Sequence, residues 1–265
     1  MLDLETILND IKEIIIDIGE YQAANFTKRL EISLKTTEHD LVTNIDKSSE
    51  KRIVSFLKEK YPSHAVIAEE GGDVVKASDF RWIIDPLDGT NNFAHGFPIF
   101  TISIALECKD EIVLGCVYCP LLKELFYAVK GKGAYLNGEE ISVSMNQNLN
   151  HAILATGFPY DKGESPDNNL DHLNRLLPQV RGLRRTGSAA YDLCNVARGS
   201  FDGYWEVKLN LWDIAAGKLI VEEAGGKIIS ISDHDKIRLI AGNDYIVNNL
   251  LQELKKVNDY WDISL

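Results

Sequence analysis

Apolar residues near the start of the chain recur three or four positions apart, which is the spacing of one face of an α-helix. The pattern predicts a single amphipathic helix over about the first 25 residues. A polar segment at 34–40 follows, and a second helical pattern extends from about Thr43 until the Tyr61-Pro62 pair ends it. The apolar positions of the first helix are Leu4, Ile7, Leu8, Ile11, Ile14, Ile15 and Ile18.

Short apolar runs, separated by glycines and charged turns, occupy residues 64–141. This texture predicts a mostly antiparallel β-sheet. The runs are AVIAE, RWIID, FTISIALEC, EIVLGCVYC, ELFYAV and AYLNGEEI.

The polar segment 144–151 predicts a boundary, so that residues 1–145 form one subdomain and 146–265 a second. Beyond it, strand and helix signals alternate, which indicates helices on both faces of a second sheet. Strands are expected at 153–158 and 180–185, and helices at 169–177, 189–197 and 212–224. The last of these helices is expected to end at Gly225-Gly226.

Composition narrows the class of protein and its surroundings. The 265 residues carry a formal net charge of −12, which disfavours nucleic acid or an anionic membrane as the main partner because both attract basic surfaces. The acidic N-terminal helix lacks the pattern of a signal peptide, and the longest apolar stretch, at 97–106, is too short to span a bilayer. The four cysteines lie in apolar segments without disulfide spacing. We therefore expect a cytoplasmic protein.

The segment WIIDPLDGTNNF places two acids, Asp85 and Asp88, around Pro86. Aspartate before glycine is ordinary turn and helix-cap chemistry, and a metal site is the alternative. Proline fixes its own φ and restricts the residue before it, so both carboxylates start from a stiff backbone. The amides of Gly89 and Thr90 would open a helix, whose N-terminus can receive a phosphate. Carboxylates that can bind a cation would thus lie beside amides that can bind an anion. This arrangement suits a phosphate that is bridged to the protein by a metal ion.

Three further acids could complete such a site. Glu69 follows the β-like AVIA run, Asp213 starts a predicted helix, and Asp46 lies early on the second helix. Each has an ordinary explanation, which is a solvated turn for the glutamate and stabilisation of the helix dipole for the aspartates. Together they supply the hard oxygen ligands that Mg²⁺ takes. Four of these acids would share one cleft: Glu69, Asp85, Asp88 and Asp213. Such a cluster requires cations, because otherwise the four negative charges repel one another and the pKa values of the acids rise.

Other motifs are weaker. Cys116 and Cys119 have C-x-x-C spacing, but residues three apart in a strand face opposite sides, and the sequence has no second pair. It also contains no Walker A, G-x-G-x-x-G or G-x-S-x-G motif. We expect His95 to be structural and the basic cluster at 181–185 to be a solvated edge.

Two signatures in this sequence resemble those of the inositol monophosphatase family of metal-dependent, lithium-sensitive phosphatases. The first is W-x-x-D-P-x-D-G-T-x-N-F, which matches residues 82–93 and continues as HGFP. The second is W-D-x-A-A-G with a later E-A-G-G, which begins at Trp212 and ends at Gly226. GSAA at 187–190 and YWE at 204–206 also match. The resemblance covers about residues 5–262.

The resemblance implies an α+β fold: the layered α-β-α-β-α sandwich of the sugar-phosphatase type, shared by fructose bisphosphatase and inositol monophosphatase. It also implies two or three Mg²⁺ ions per subunit and a homodimer. Lys208 and Asn210 differ from the residues that are more usual in the family, which leaves the alcohol half of the substrate open.

The resemblance further implies a role for individual residues. The implied metal ligands are Glu69, Asp85, the carbonyl of Leu87, Asp88 and Asp213. The implied catalytic groups around the attacking water are Glu69, Thr90 and Asp46. The implied phosphate and substrate contacts are Gly89, Thr90, Ala189 and Glu206, and the implied mobile loop over the metals contains Lys35 and Asp40.

The expected function is hydrolysis of a phosphate monoester by direct attack of water, because no serine, cysteine or histidine is placed as a nucleophile. Myo-inositol 1-phosphate is the first expected substrate. An alternative is a broader phosphatase that acts on NADP 2′-phosphate, fructose 1,6-bisphosphate or 3′-phosphoadenosine compounds. All of these substrates would use the same phosphate-binding and metal-binding half of the site. A non-catalytic interaction protein of transcription or ribosome assembly is another, although every expected acid is present.

Overall fold

A computed structural model of the chain describes residues 3–28, 32–34, 41–71, 78–233 and 236–262. Lys35 and Asp40, which were assigned to a loop over the metals, lie outside the described residues.

The described part of the chain contains both helices and strands. In order they are α1 (Leu4–Asn25), β1 (Ile32–Leu34), β2 (Leu41–Thr43), α2 (Asn44–Lys60), β3 (Ala65–Ala68), β4 (Phe80–Asp88), α3 (Thr90–Ala94), β5 (Thr101–Cys108), β6 (Glu111–Cys119), β7 (Glu124–Val129), β8 (Ala134–Leu136), β9 (Glu139–Ile141), β10 (Ile153–Thr156), α4 (Leu170–Leu176), β11 (Gly182–Arg184), α5 (Ala189–Ala197), β12 (Gly203–Leu209), α6 (Leu211–Glu223), β13 (Lys227–Asp233), β14 (Lys236–Gly242) and α7 (Asp244–Lys255). Short 3₁₀ helices lie at Leu149–His151, Leu177–Gln179 and Asp259–Trp261.

The two predicted N-terminal helices are confirmed. The α1 helix begins after Asp3, whose carboxylate accepts hydrogen bonds from the amides of the first turn. The α2 helix begins after Thr43 in a capping box with Asp46 and ends at Lys60, directly before Tyr61-Pro62. Both helices are therefore bounded by the side chains that the sequence supplies at their ends.

The first sheet contains all six predicted β-like runs in the order β3-β4-β5-β6-β7-β8-β9. The β3 and β4 strands pair in parallel, and every other pair in this sheet is antiparallel. The prediction of a mostly antiparallel sheet is confirmed. The bounds of β4 differ from the expectation, because the strand continues through both aspartates to Asp88 instead of ending before them.

The second sheet has the order β11-β10-β12-β14-β13 and is mixed. The β10 strand is parallel to both of its neighbours, whereas β14 is antiparallel to both of its own. The predicted strands and helices between 153 and 224 form. The spacing of apolar residues in the sequence did not predict β12, β13, β14 or α7.

Helices packed on both faces of the two sheets give five layers. The α1 and α2 helices cover the outer face of the first sheet, where Ile11, Ile15 and Leu57 pack around Trp82. The α5 and α6 helices lie between the two sheets, and α4 and α7 cover the outer face of the second. The fold is therefore the predicted layered α-β-α-β-α sandwich. The division of the chain near residue 145 stays a prediction.

The α6 helix packs backbone to backbone on the first sheet. A Cβ atom built on Gly115 of β6 would lie 2.8 Å from the carbonyl oxygen of Ala216 and 3.0 Å from its Cα. Only glycine permits so close an approach. The contact therefore sets the distance between α6 and the sheet. None of the helices in the described ranges is long and apolar enough to cross a bilayer.

Candidate active site

A cavity of about 500 Å³ opens where β4, β12 and the start of α6 meet. Apart from Asp46 and the two residues outside the described ranges, it contains every residue assigned from the sequence. The predicted site residues that line it are Glu69, Asp85, Leu87, Asp88, Gly89, Thr90, Ala189, Glu206 and Asp213.

A β-bulge in β4 places Asp85 and Asp88 on the same side of the sheet. Residues three apart in a regular strand face opposite sides. Here Asp85 pairs with Ser103 and Asp88 with Thr101, so three steps along β4 oppose two along β5. The extra residue on β4 brings both carboxylates back to the same side of the sheet. Pro86 lies inside the bulge, where the absence of a backbone N–H is tolerated.

The two cysteines that share this spacing show the contrast. The β6 register is continuous over Cys116 and Cys119, and their side chains lie in cores on opposite faces of the sheet. Burial raises the pKa of Cys116 to about 12 and that of Cys119 to about 11. Both are buried thiols, and the expectation that they face apart is confirmed.

Each aspartate of the cluster is oriented by the protein through one carboxylate oxygen. Oδ2 of Asp88 accepts hydrogen bonds from the hydroxyl of Ser188 (2.7 Å) and the amide of Ala190 (2.8 Å). Oδ1 of Asp85 accepts from the amide of Leu87 (2.9 Å), and Oδ2 of Asp213 accepts from the backbone amide that precedes α6 (2.7 Å).

The acids affect one another electrostatically. Burial, followed by the charges of Glu69, Asp88 and Asp213, raises the pKa of Asp85 well above its ordinary value. Burial and the charges of Asp88 and Glu69 do the same for Asp213. Burial raises the pKa of Asp88 to about 6, although its hydrogen bonds act in the opposite direction. The side chains from β4, from the segment after β3 and from α6 therefore converge, as the sequence predicted.

The donor chemistry of this cluster fits a hard divalent cation. Carboxylate and carbonyl oxygens are the ligands that Mg²⁺ prefers, and Glu69, Asp85, Asp88, Asp213 and the carbonyl of Leu87 are all at the cavity. Within the described ranges, no three Asp, Glu, His or Cys side chains already lie close enough together to hold one ion.

Thr90 and Asp46 form a hydrogen-bonded pair at the edge of the cavity. Oγ1 of Thr90 donates to Oδ1 of Asp46 at 2.7 Å. Oδ2 of the same carboxylate accepts from the amide and the hydroxyl of Thr43 at 2.9 and 2.5 Å. The aspartate therefore completes the capping box of α2 with Thr43 and also orients a cavity hydroxyl.

Gly89 is the residue between the second aspartate and α3. Its φ is +100°, a backbone conformation that favours glycine. A Cβ atom there would lie 3.1 Å from the carbonyl oxygen of Ile99 and 3.3 Å from that of Gly187. The glycine lets the chain turn directly from β4 into α3, with Thr90 as the first helical residue.

Glu206 enters the cavity from β12. The hydroxyl of Tyr204 donates to its Oε2 at 2.6 Å, and burial raises the pKa of Glu206 to about 7. A second bulge follows it, because three steps from Glu206 to Leu209 on β12 oppose two on β14. Lys208 lies in this bulge with a φ of +60°.

Several residues of the site were not assigned from the sequence. Arg185 was expected on a solvated edge, but it lines the cavity and its charge lowers the pKa values of Asp88 and Glu206. Ser188 supplies the hydroxyl that holds Asp88. Gln22 is buried in α1 and donates to the carbonyl of Pro86 at 2.7 Å. A signal for this glutamine existed, since it is a polar residue on the apolar face of α1.

The layered fold is shared with solved structures of other proteins. One solved structure, described as an IMPase/NADP phosphatase complexed with Mg²⁺ and phosphate, superposes with a TM-score of 0.84 at 27% identity, over 96% of each chain.

The chain belongs to the inositol monophosphatase family, whose sequence profile matches residues 3–262. The inositol-1-monophosphatase of Synechocystis sp. is 41% identical over 96% of this chain and 89% of its own length. The Nus factor SuhB of Pasteurella multocida is 42% identical over 89% of this chain and 91% of its own length. Members named inositol-1-monophosphatase and members named Nus factor SuhB are thus similarly close in sequence.

Proposed function

We propose that the protein is a Mg²⁺-dependent phosphatase that hydrolyses phosphate monoesters, with myo-inositol 1-phosphate as its first substrate. The observation that carries the proposal is the convergence of Glu69, Asp85, Asp88 and Asp213 on one cavity beside the Asp46–Thr90 pair. Family membership and the presence of every expected acid support it.

The four carboxylates and the carbonyl of Leu87 would hold two or three Mg²⁺ ions. Bound Mg²⁺ lowers the pKa of the attacking water and stabilises the negative charge that develops on the leaving oxygen. The carboxylates themselves would otherwise repel the phosphate, so substrate binding is expected to require the cations.

Thr90 is proposed to orient the attacking water. A hydroxyl group has a single hydrogen, and two acceptors lie near Oγ1 of Thr90: Oδ1 of Asp46 at 2.7 Å and the carbonyl of Leu87 at 3.1 Å. The proposal assigns the hydrogen to Asp46, which is the nearer acceptor and the charged one. The oxygen of Thr90 is then an acceptor toward the cavity, where it would accept a hydrogen bond from the water while Glu69 accepts a proton. Asp46 acts through Thr90 and holds its hydroxyl in this direction.

The remaining residues would bind the substrate. The amides of Gly89 and Thr90, at the start of α3, are proposed to donate to the phosphate. Glu206 and the backbone of Ala189 are proposed to meet the hydroxyls of the alcohol part, and Arg185 provides a positive charge at the same cavity.

Phosphate release from the purified protein tests this function. We expect release from myo-inositol 1-phosphate that depends on Mg²⁺ and stops in EDTA. A kcat/KM panel with NADP, fructose 1,6-bisphosphate and 3′-phosphoadenosine 5′-phosphate ranks the alternatives. Absence of Mg²⁺-dependent release from every substrate, or a covalent phosphoenzyme trapped during turnover, would contradict the proposal.

A second function in transcription is a candidate because one close relative is named a Nus factor. The net charge of −12 opposes direct binding of RNA or DNA, so we propose a protein partner for any such role. Mobility-shift titrations with RNA at physiological salt are expected to show no complex. The homodimeric state and the cytoplasmic location likewise stay predictions, and light scattering of the purified protein tests the first.

A further inference from the structure

The lysine at position 208 has a backbone conformation that L-residues avoid. Its φ is +60°, in the left-handed region where a Cβ atom crowds the following carbonyl. Glycine would adopt the same conformation freely. Non-glycine residues in such conformations concentrate at functional sites, and Lys208 lies in the β12 bulge, two residues after Glu206.

The side chain of Lys208 joins β12 to the loop at 157–169. Its Nζ lies 2.6 Å from Oδ2 of Asp161 and donates to Oγ of Ser165 at 2.8 Å. The lysine side chain is 22% exposed and that of Asp161 is 42% exposed, so water still screens part of this ion pair.

This loop forms one wall of the cavity. The loop residues that line the cavity are Phe158, Pro159, Tyr160 and Asp161. Lys208 lines the same cavity from β12. In the function proposed above, the phosphate lies at the amides of Gly89 and Thr90 beside the metal-binding acids, which leaves this wall to the alcohol part of the substrate.

Two other anchors hold different parts of the same loop. Arg238 forms a bidentate pair with Asp167, with distances of 2.8 and 2.7 Å. The side-chain amide of Asn169 donates to the carbonyl of Gly157 at 2.7 Å and accepts from the indole of Trp205 at 2.8 Å. These anchors fix the two ends of the loop, whereas Lys208 holds the segment between them that faces the cavity.

We propose that Lys208 is a positioning residue that determines substrate specificity. Through Asp161 and Ser165 it fixes the loop wall at the alcohol end of the cavity, so that a compact polyol is selected over a bulkier alcohol such as a dinucleotide. The proposal rests on the phosphatase function proposed above, because that function defines which end of the cavity receives the alcohol.

The Lys208→Gly variant tests this role, since glycine keeps the bulge and removes the ion pair. We expect the KM for myo-inositol 1-phosphate to rise about tenfold, because the loop wall that contacts the alcohol part loses its fixed position, with less than about a threefold change in kcat. The ratio of kcat/KM between myo-inositol 1-phosphate and NADP should fall by about the same factor. Lys208→Arg, which keeps an N–H donor for Asp161, should recover most of the ratio.

The matched control is Lys123→Gly. Lys123 also has a positive φ, of +55°, but lies in the exposed turn between β6 and β7. This variant should leave the substrate ratio unchanged. Asp161→Asn should shift the ratio in the same direction as Lys208→Gly; a ratio shifted the opposite way would mean that Lys208 binds the substrate directly and would overturn the positioning role.

Amide hydrogen exchange of segment 158–165 gives a readout that needs no turnover. Lys208→Gly should speed exchange there, whereas Lys123→Gly should not. If exchange stays at the wild-type rate, the loop is fixed without Lys208 and the inference is wrong, whatever the enzyme does. If exchange rises as expected but the wild type releases no phosphate from any substrate, the proposed function fails instead, and the specificity role fails with it.

Discussion

The hydroxyl of Thr90 and the carboxylate of Asp46 lie 2.7 Å apart across 44 positions of the chain. The aspartate is almost completely buried, and it accepts three hydrogen bonds, two of them from Thr43. A carboxylate held this firmly is the stronger acceptor for the Thr90 hydroxyl, whose other acceptor is the carbonyl of Leu87 at 3.1 Å.

Thr90→Val keeps the shape of the side chain and removes the hydroxyl. We expect kcat to fall by about 100-fold or more, with a smaller change in KM, because the oxygen acts on the water and not on the ground-state ester. Steady-state kinetics at saturating Mg²⁺ measures this. Thr90→Ser restores the hydroxyl and should recover much of kcat; equal losses for both variants would contradict the role.

Asp85→Asn removes one charge from the cluster without changing its size. We expect kcat to fall by about 100-fold or more. Without Mg²⁺ the melting temperature should not fall, because like charges no longer repel. The wild type should gain stability on addition of Mg²⁺, and the variant should lose this gain. Asp79→Asn, an exposed acid beside Lys109, is the control, and wild-type kcat in Asp85→Asn would count against the metal site.

Gly89→Ala adds a Cβ atom where two carbonyl oxygens lie within 3.3 Å. The left-handed φ alone costs about 1–2 kcal/mol for alanine, and the contacts should add to this. Gly131→Ala is the matched control, since Gly131 has a φ of +75° and open space around it. Chemical denaturation should show a larger loss of stability for Gly89→Ala, which alone should also reduce activity. Equal losses would mean that the contacts do not matter.

His172 should make the protein less stable in mild acid. Burial lowers its pKa below the ordinary 6.5, and its Nε2 accepts from the indole of Trp261 at 3.0 Å. The unfolded chain takes up the proton first as the pH falls, so stability is complete above pH 6.5 and is lost below it. The loss from this one group should grow as the pH falls below 6.5.

The measurement is the free energy of unfolding at pH 7.5 and 5.5. His172→Gln, which keeps an acceptor for Trp261 and does not titrate, should lose less stability between the two values than the wild type. His95→Gln changes an exposed histidine and should behave like the wild type. If His172→Gln shows the full acid loss, the pH dependence comes from other groups.

The sequence predicts the elements better than it predicts the pairings between them. The spacing of apolar residues in α1 and the proline after α2 place both helices within a residue or two. The identity of the clustered acids also follows from the sequence, since each lies at the edge of an apolar run. Their common side of the sheet does not follow, because it depends on a bulge that the spacing of Asp85 and Asp88 does not reveal.

Long-range neighbours are the other part that sequence patterns miss. Ser188 and Asp88 are 100 positions apart, and local spacing contains no information about that contact. The difference between Arg185 and the arginines beside it also comes from the fold, since only the packing of α5 decides which of them faces the cavity. The roles of β12 and β14 in the second sheet likewise depend on partners that are distant in sequence.

The bulge in β4 makes the site unusually sensitive to chain length. Deleting Pro86 would leave every carboxylate in the sequence but would turn either the preceding or the following acid toward the opposite surface, where α1 and α2 pack in an apolar environment. A one-residue deletion in this strand is therefore expected to be more damaging than most replacements, whereas the same deletion in an exposed turn changes little. The register of a single strand decides whether this molecule has an active site.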